Sequence, residues 1–200
     1  MPPFTRFQYT GPVVSGATLG PWAHVPLGDQ EREAKSRWRW KSTTLGLAYR
    51  PDLPSLEETR AERARFAAEE EAARAAGDAL KARDCRAMVE RRDRQITRLA
   101  SLPKGQHFPL PMTYWQTGDA IWLAVECEHY QLLQRSLRDR FPGTPIVVMT
   151  IVNGSRGFYL PVREAYGKGI YQESVAVLAP GCLEQVIEAA AAQIGEWVKG

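Results

Sequence analysis

Two stretches of the chain are almost wholly apolar, Ala120 to Val125 and Ile146 to Val152. Short apolar runs bounded by turn residues predict strands buried on both faces. MTYWQT precedes the first run and Thr117-Gly118-Asp119 joins the two, which predicts a β-hairpin. Between the apolar runs, Tyr130, Leu133 and Leu137 recur at i, i+3 and i+7. They predict a helix over 129–140, stopped by Phe141-Pro142-Gly143. A longer amphipathic stripe, Leu183, Val186, Ile187, Ala190, Ile194 and Trp197, predicts a final helix lying on the sheet.

Upstream the pattern changes. In 37–49 the apolar positions are Trp38, Trp40, Leu45 and Leu47, with Thr43 and Thr44 between them, which predicts a strand with its tryptophans in the core. Ser55 with Glu58 three residues later forms a capping box. From Leu56 to Leu99 the chain is dense in Ala, Glu and Arg, with Gly77-Asp78 as an interruption. That composition predicts an antiparallel helical hairpin, solvated and ion-paired, resting on the core. Its thin apolar stripe does not sustain a coiled-coil seam. Residues 1–36 are rich in Gly, Pro and Thr, with isolated Phe7, Tyr9 and Trp22, and are expected to be an irregular packing segment.

The expected fold is α/β, a mixed sheet with flanking helices and a charged helical hairpin excursion. The expected organisation is one partial domain over 1–200: the irregular segment to 36, a strand plus hairpin over 37–102, and an α/β core over 103–200.

Composition narrows the function. The net charge of +3 is small and its cations are interspersed with acids, which argues against nucleic acid as a partner. The chain's three cysteines, Cys85, Cys127 and Cys182, lie far apart without a CxxC spacing, so a thiolate zinc knuckle is not expected. Each is read as a small buried residue in a reducing compartment. No run approaches the ~20 apolar residues of a membrane span, and no apolar signal core opens the chain. A soluble, cytoplasmic protein is expected.

Chemistry has few candidates. Glu126 and Glu128 bracket Cys127 directly after a predicted strand, where a carboxylate can ligate a metal, serve as a base, or simply favour a helix start. Asn153-Gly154-Ser155-Arg156-Gly157 follows the other strong strand and is either a site-edge loop or a plain turn. The histidines are His24, His107 and His129, without HxH or HExxH spacing. GxSxG and GxxxxGK[ST] motifs are absent.

From Gly118 onward the chain resembles the neutral/alkaline non-lysosomal ceramidase family, particularly its bacterial ceramidase-like members. The matching pieces are Gly118-Asp119, Val125 to Glu128, Tyr130, Leu133, Leu137, Ile146 to Val152, Asn153-Gly154, Tyr159-Leu160-Pro161, Glu164-Ala165-Tyr166 and Tyr171. The resemblance implies the C-terminal part of the catalytic domain of a zinc-dependent amidase. Such enzymes split the N-acyl bond of ceramide, with zinc held by two histidines, a glutamate and a tyrosine. It places the glutamate at Glu128. One alignment puts Ser155 in the tyrosine's place and the other Tyr159. Serine is a poor substitute for a phenolate, so Tyr159 is the expected ligand or oxyanion stabiliser. Asn153, Gly154 and Ser155 form the expected site-edge loop.

The family's Pro-Gly is here Glu126-Cys127, and its zinc histidines and serine nucleophile belong to an N-terminal half without a counterpart in this sequence. The expectation is therefore an incomplete amide hydrolase portion, pairing with a missing half or with itself, whose substrate is a lipid amide or another small amide. His24 and His129 are the first histidines to consider for a metal. The alternative is a non-catalytic interaction protein that uses the charged hairpin as its contact surface.

Overall fold

The computed structural model describes residues 4–12 and 20–199. The other parts of the N-terminal stretch, 1–3 and 13–19, and Gly200 lie outside the described residues. The fold is α/β, centred on a mixed sheet.

The stretch expected to be irregular carries regular structure. Strands β1 (Thr5–Tyr9) and β2 (Trp22–Pro26) form an antiparallel ribbon, followed by helix α1 (Asp29–Ser36). The register sets Phe7 opposite His24 and Tyr9 opposite Trp22, so the isolated aromatics meet across the ribbon. Phe7 and Trp22 stack diagonally with centroids 5.6 Å apart.

The main sheet is built from β3 (Trp38–Ala48), β4 (His107–Thr117), β5 (Ala120–Val125) and, after the two-residue strand β6 (Glu128–His129), β7 (Ile146–Met149). Its order is β3-β4-β5-β7. The first three are antiparallel and β7 runs parallel to β5. The expected hairpin at Thr117-Gly118-Asp119 is present, and Gly118 supplies the left-handed residue at φ 65°. β4 starts earlier than MTYWQT because it runs through Pro109 and Pro111, beyond the end of β5, where an unpaired edge tolerates proline.

Between β3 and β4 rise α2 (Leu56–Ala75) and α3 (Ala79–Ser101), the expected hairpin. The Ser55/Glu58 capping box is formed, and Arg63–Asp93 and Arg92–Glu62 ion pairs join the two helices.

Three further expectations need correcting. The helix expected from 129 starts at Leu132 (α4, Leu132–Arg140), because Glu128 and His129 pair instead with β8 (Tyr159–Leu160). The strand expected through Val152 ends at Met149. It lies at the sheet's edge and is half-buried, and Ile151 and Asn153 turn the chain with φ of 57° and 62°. Trp38 and Trp40 are 66% and 63% exposed rather than in the core. Their parity explains it: buried Leu47 fixes the odd positions of β3 inward, which turns the even positions outward.

The inner face carries Leu47, Phe108, Leu110, Met112, Tyr114, Ile121, Leu123 and Val125, all buried. Helices α4 and α6 (Cys182–Lys199) complete this core through Leu133, Leu137, Leu183, Val186, Ile187 and Ile194. Burial pushes the Tyr114 hydroxyl up to about 12. The outer face sets Trp40, Trp115, Trp122 and Val147 in one cross-strand row and includes no Asp, Glu, Lys or Arg at any paired position. A solvated sheet face ordinarily alternates with charge, and this one does not. The three cysteines are free and buried, as expected. No helix among the described residues is long and apolar enough to cross a membrane.

Candidate functional site

At the end of β5 the chain leaves the strand and bends through Glu126 and Cys127 before β6 begins at Glu128. Glu126 is buried, only 1% exposed. Its Oε1 accepts hydrogen bonds from the Arg156 backbone N–H and Nε, both at 2.9 Å, and its Oε2 accepts from Nη2 at 3.2 Å. The carboxylate in turn holds the Arg156 guanidinium pKa up. A side chain at Gly154, where φ is 144°, would meet Glu126 Oε1 at 3.0 Å. Glu126 therefore anchors the 153–157 loop from beneath.

Cys127 is fully buried under Gly157, and a Cβ there would lie 2.1 Å from its Sγ. Burial, with the Glu126 carboxylate adding to it, pushes the Cys127 thiol up to about 12, so it stays a thiol at neutral pH. Ile151, Asn153 and Phe158 all sit at positive φ in this loop. For a β-branched residue such as Ile151 that conformation is strained, costing on the order of 1–3 kcal/mol. Thr150 Oγ1 ties the loop to the Cys127 carbonyl at 2.8 Å.

Glu128 pairs in register with Tyr159, so the expected glutamate and the expected tyrosine are direct neighbours. Burial and then the adjacent Glu128 carboxylate hold the Tyr159 hydroxyl above its ordinary pKa. Tyr159 packs edge-on against Tyr171, with centroids 5.9 Å apart, at the start of the short helix α5 (Tyr171–Val175). Glu128, Ser155 and Tyr159 line a single cleft of about 620 Å³ with Ile151, Phe158, Tyr171 and Val175. Its opposite wall is α3, through Asp93, Arg94, Thr97 and Arg98. Asn153 and Gly154 shape the loop without lining the cleft.

The histidines are elsewhere. His24 belongs to the exposed ribbon, beside Phe7. His129 faces away from Glu128 in β6, and its Nε2 is buried without a partner. Burial lowers its pKa and keeps the ring neutral. Among the described residues no group of three or more His, Cys, Asp and Glu side chains could hold a metal. Glu128 and Tyr159 offer two oxygen donors where a catalytic zinc takes three protein ligands. The described residues do not complete a zinc site.

No family model matches the chain, and no curated protein matches it. A solved structure described as a ceramidase complexed with C2 is similar over 42% of this chain, with 15% identity and a TM-score of 0.38. The chain spans 14% of that structure's length. A likeness of this size does not establish a shared activity.

The sequence reading missed the α3 wall. Its signal was visible: no acid occurs from Arg94 to Gly118, so Arg94 and Arg98 have no acidic partner downstream on their helix, unlike Arg86 with Glu90. Phe158 was also missed, whereas Tyr171 belonged to the family resemblance.

Proposed function

We propose that this chain is a portion of a ceramidase-like amide hydrolase, and that its cleft holds an N-acyl amide. The observation that carries the reading is the meeting of Glu128 and Tyr159 in a cleft where Ile151, Phe158, Tyr171 and Val175 supply an apolar and aromatic side and α3 a polar one. Pockets of this size that combine apolar surface with convergent polar groups are the usual form of small-molecule sites. Ile151, Phe158 and Val175 take the acyl chain. The Tyr159 hydroxyl donates to the amide carbonyl oxygen, where negative charge develops during attack. Glu128 accepts the proton of an attacking water as its oxygen bonds to the amide carbon, and returns it to the nitrogen as the C–N bond breaks, releasing the amine and the carboxylic acid. If the family's zinc takes part, its remaining ligands come from outside the described residues. In this reading a missing half, or a second copy, covers the uncharged outer face of the sheet.

The test is binding and turnover of a fluorescent short-chain N-acyl sphingosine by the purified chain, with added zinc and with chelator. Saturable binding, lost in the cleft-filling Thr97→Trp variant, is the expected result. Chelator-sensitive turnover would extend it to a working metal site. Absence of saturable binding by the folded chain overturns the proposal.

A further inference from the structure

The cleft wall contributed by α3 is cationic in an unusual way. Arg91, Arg94 and Arg98 follow one another at i, i+3 and i+7, which places three like charges along one helix face. Like charges at that spacing destabilise a helix unless something neutralises them. Neighbouring arginines on the hairpin are neutralised: Arg86 pairs with Glu90, Arg92 with Glu62 and Arg63 with Asp93. Arg94 and Arg98 line the cleft and have no ion pair among the described residues. Arg98 is half-buried and stacks over the Phe158 ring at 5.9 Å. Burial, with the like charges of Arg94 and Arg91 adding to it, lowers its pKa. The two acids of the cleft do not relieve it. Asp93 is held by Arg63, and Glu128 stands beside Tyr159.

The cleft is therefore polarised. Tyr171 packs against Tyr159 and lines the cleft together with Arg98. A ligand fitting this arrangement carries an anionic group for Arg98 and Arg94, an apolar chain for Ile151, Phe158 and Val175, and a polar junction for Tyr159.

We propose that the cleft selects an acidic N-acyl amide, an N-acyl amino acid, over the neutral N-acyl sphingosine. In an N-acyl amino acid the carboxylate lies two bonds from the amide nitrogen, so one molecule supplies all three features. This rests on the reading of the cleft as an amide site and changes its substrate class. A carboxylate that meets a guanidinium in a partly desolvated cleft makes a charge-assisted hydrogen bond, about twice as strong as a neutral one.

The experiment compares two probes by calorimetric titration of the full chain: N-octanoylglycine and its uncharged analogue N-octanoylglycinamide. The acid is expected to bind at least tenfold more tightly, about 1.4 kcal/mol, and to weaken with added salt. Arg98→Gln is expected to remove the preference, and Arg94→Gln, at an exposed position, to reduce it. Circular dichroism checks the fold of each variant. Equal binding of the two probes, or a preference that survives in both variants, overturns the acidic-ligand proposal and leaves the amide cleft standing. Acid-selective binding without hydrolysis of either probe, alone or with zinc, supports the ligand class and counts against the hydrolase. Absence of binding by either probe overturns both.

Discussion

A methyl group added at Gly157 has nowhere to go. The Cβ of Gly157→Ala would stand 2.1 Å from Cys127 Sγ, whereas comfortable carbon contacts lie at about 3.5–4.0 Å. The overlap is therefore roughly 1.5 Å, against a sulfur that is fully buried. The loop cannot simply lift, because the Phe158 N–H is bonded to the Ser155 carbonyl at 2.9 Å and the Glu128 N–H to the Phe158 carbonyl at 2.8 Å. Overpacking of this kind costs about 1–3 kcal/mol, and an overlap this deep belongs at the upper end, about 3 kcal/mol. For a chain of this length that corresponds to a fall in Tm of about 6–12 °C.

Cys127→Ala removes one heavy atom from the core and is expected to cost about 1 kcal/mol. With the sulfur gone, the nearest atoms to the new methyl are Phe108 Cε1 and Cζ at 3.4 and 3.5 Å, ordinary contacts. The double variant should then lose only about 1 kcal/mol, a coupling of about 3 kcal/mol between the two sites. Urea unfolding of the four proteins, followed by circular dichroism, measures that coupling. Additive losses, or a double variant less stable than Gly157→Ala, would refute the packing argument.

Three further outcomes are expected. Glu126→Gln should destabilise the fold by about 1.5–3 kcal/mol, since it weakens three hydrogen bonds to a buried carboxylate; an unchanged urea midpoint would show that Arg156 does not hold the loop. Glu173 accepts the backbone N–H groups of Gly167, Lys168 and Gly169, which lower its carboxyl pKa. Its stabilisation is full above the unfolded value of 4.5 and is lost as the pH falls through the lower folded value. Glu173→Gln should therefore be less stable than the parent near pH 7 and match it below that lower value, and a stability gap constant with pH would refute the assignment. Replacing exposed Trp38 and Trp40 together by Ser should reduce any self-association seen by analytical ultracentrifugation, and association unchanged by the pair would clear the outer face of responsibility.

Local signals in the sequence were read well where a few adjacent residues decide the structure. The Ser55/Glu58 box, the Gly77-Asp78 break, the Thr117-Gly118-Asp119 turn and the Leu183-to-Ile194 stripe each act over one or two turns of chain. What was misread depends on partners distant in sequence. Trp38 and Trp40 share a strand with Leu45 and Leu47 but have the opposite parity, and facing was assigned by hydrophobicity instead of by position. The apolar run from Ile146 looked continuous, yet the chain leaves the sheet after Met149 to form a loop shaped by Glu126, and no local pattern encodes that anchor. The β1–β2 ribbon depends on aromatics that meet diagonally across a long connection. Glu128 and Tyr159 were paired through a family resemblance, and their adjacency comes from a two-residue parallel bridge that periodicity cannot reveal. Arg94 and Arg98 were hidden among many hairpin arginines until their lack of partners showed.

The hairpin has a mechanical consequence for the cleft. Its second helix has 23 residues and so is about 34 Å long. Arg98 lies four residues from Leu102 at the base, only about 6 Å along the axis. About that base the helix is a lever with a load arm roughly one-sixth of its effort arm. A swing of about 3 Å at the Gly77 end would move Arg98 by only about 0.5 Å. The far end of the hairpin can be gripped, pushed or crowded while the spacing between Arg98 and Tyr159 stays nearly constant.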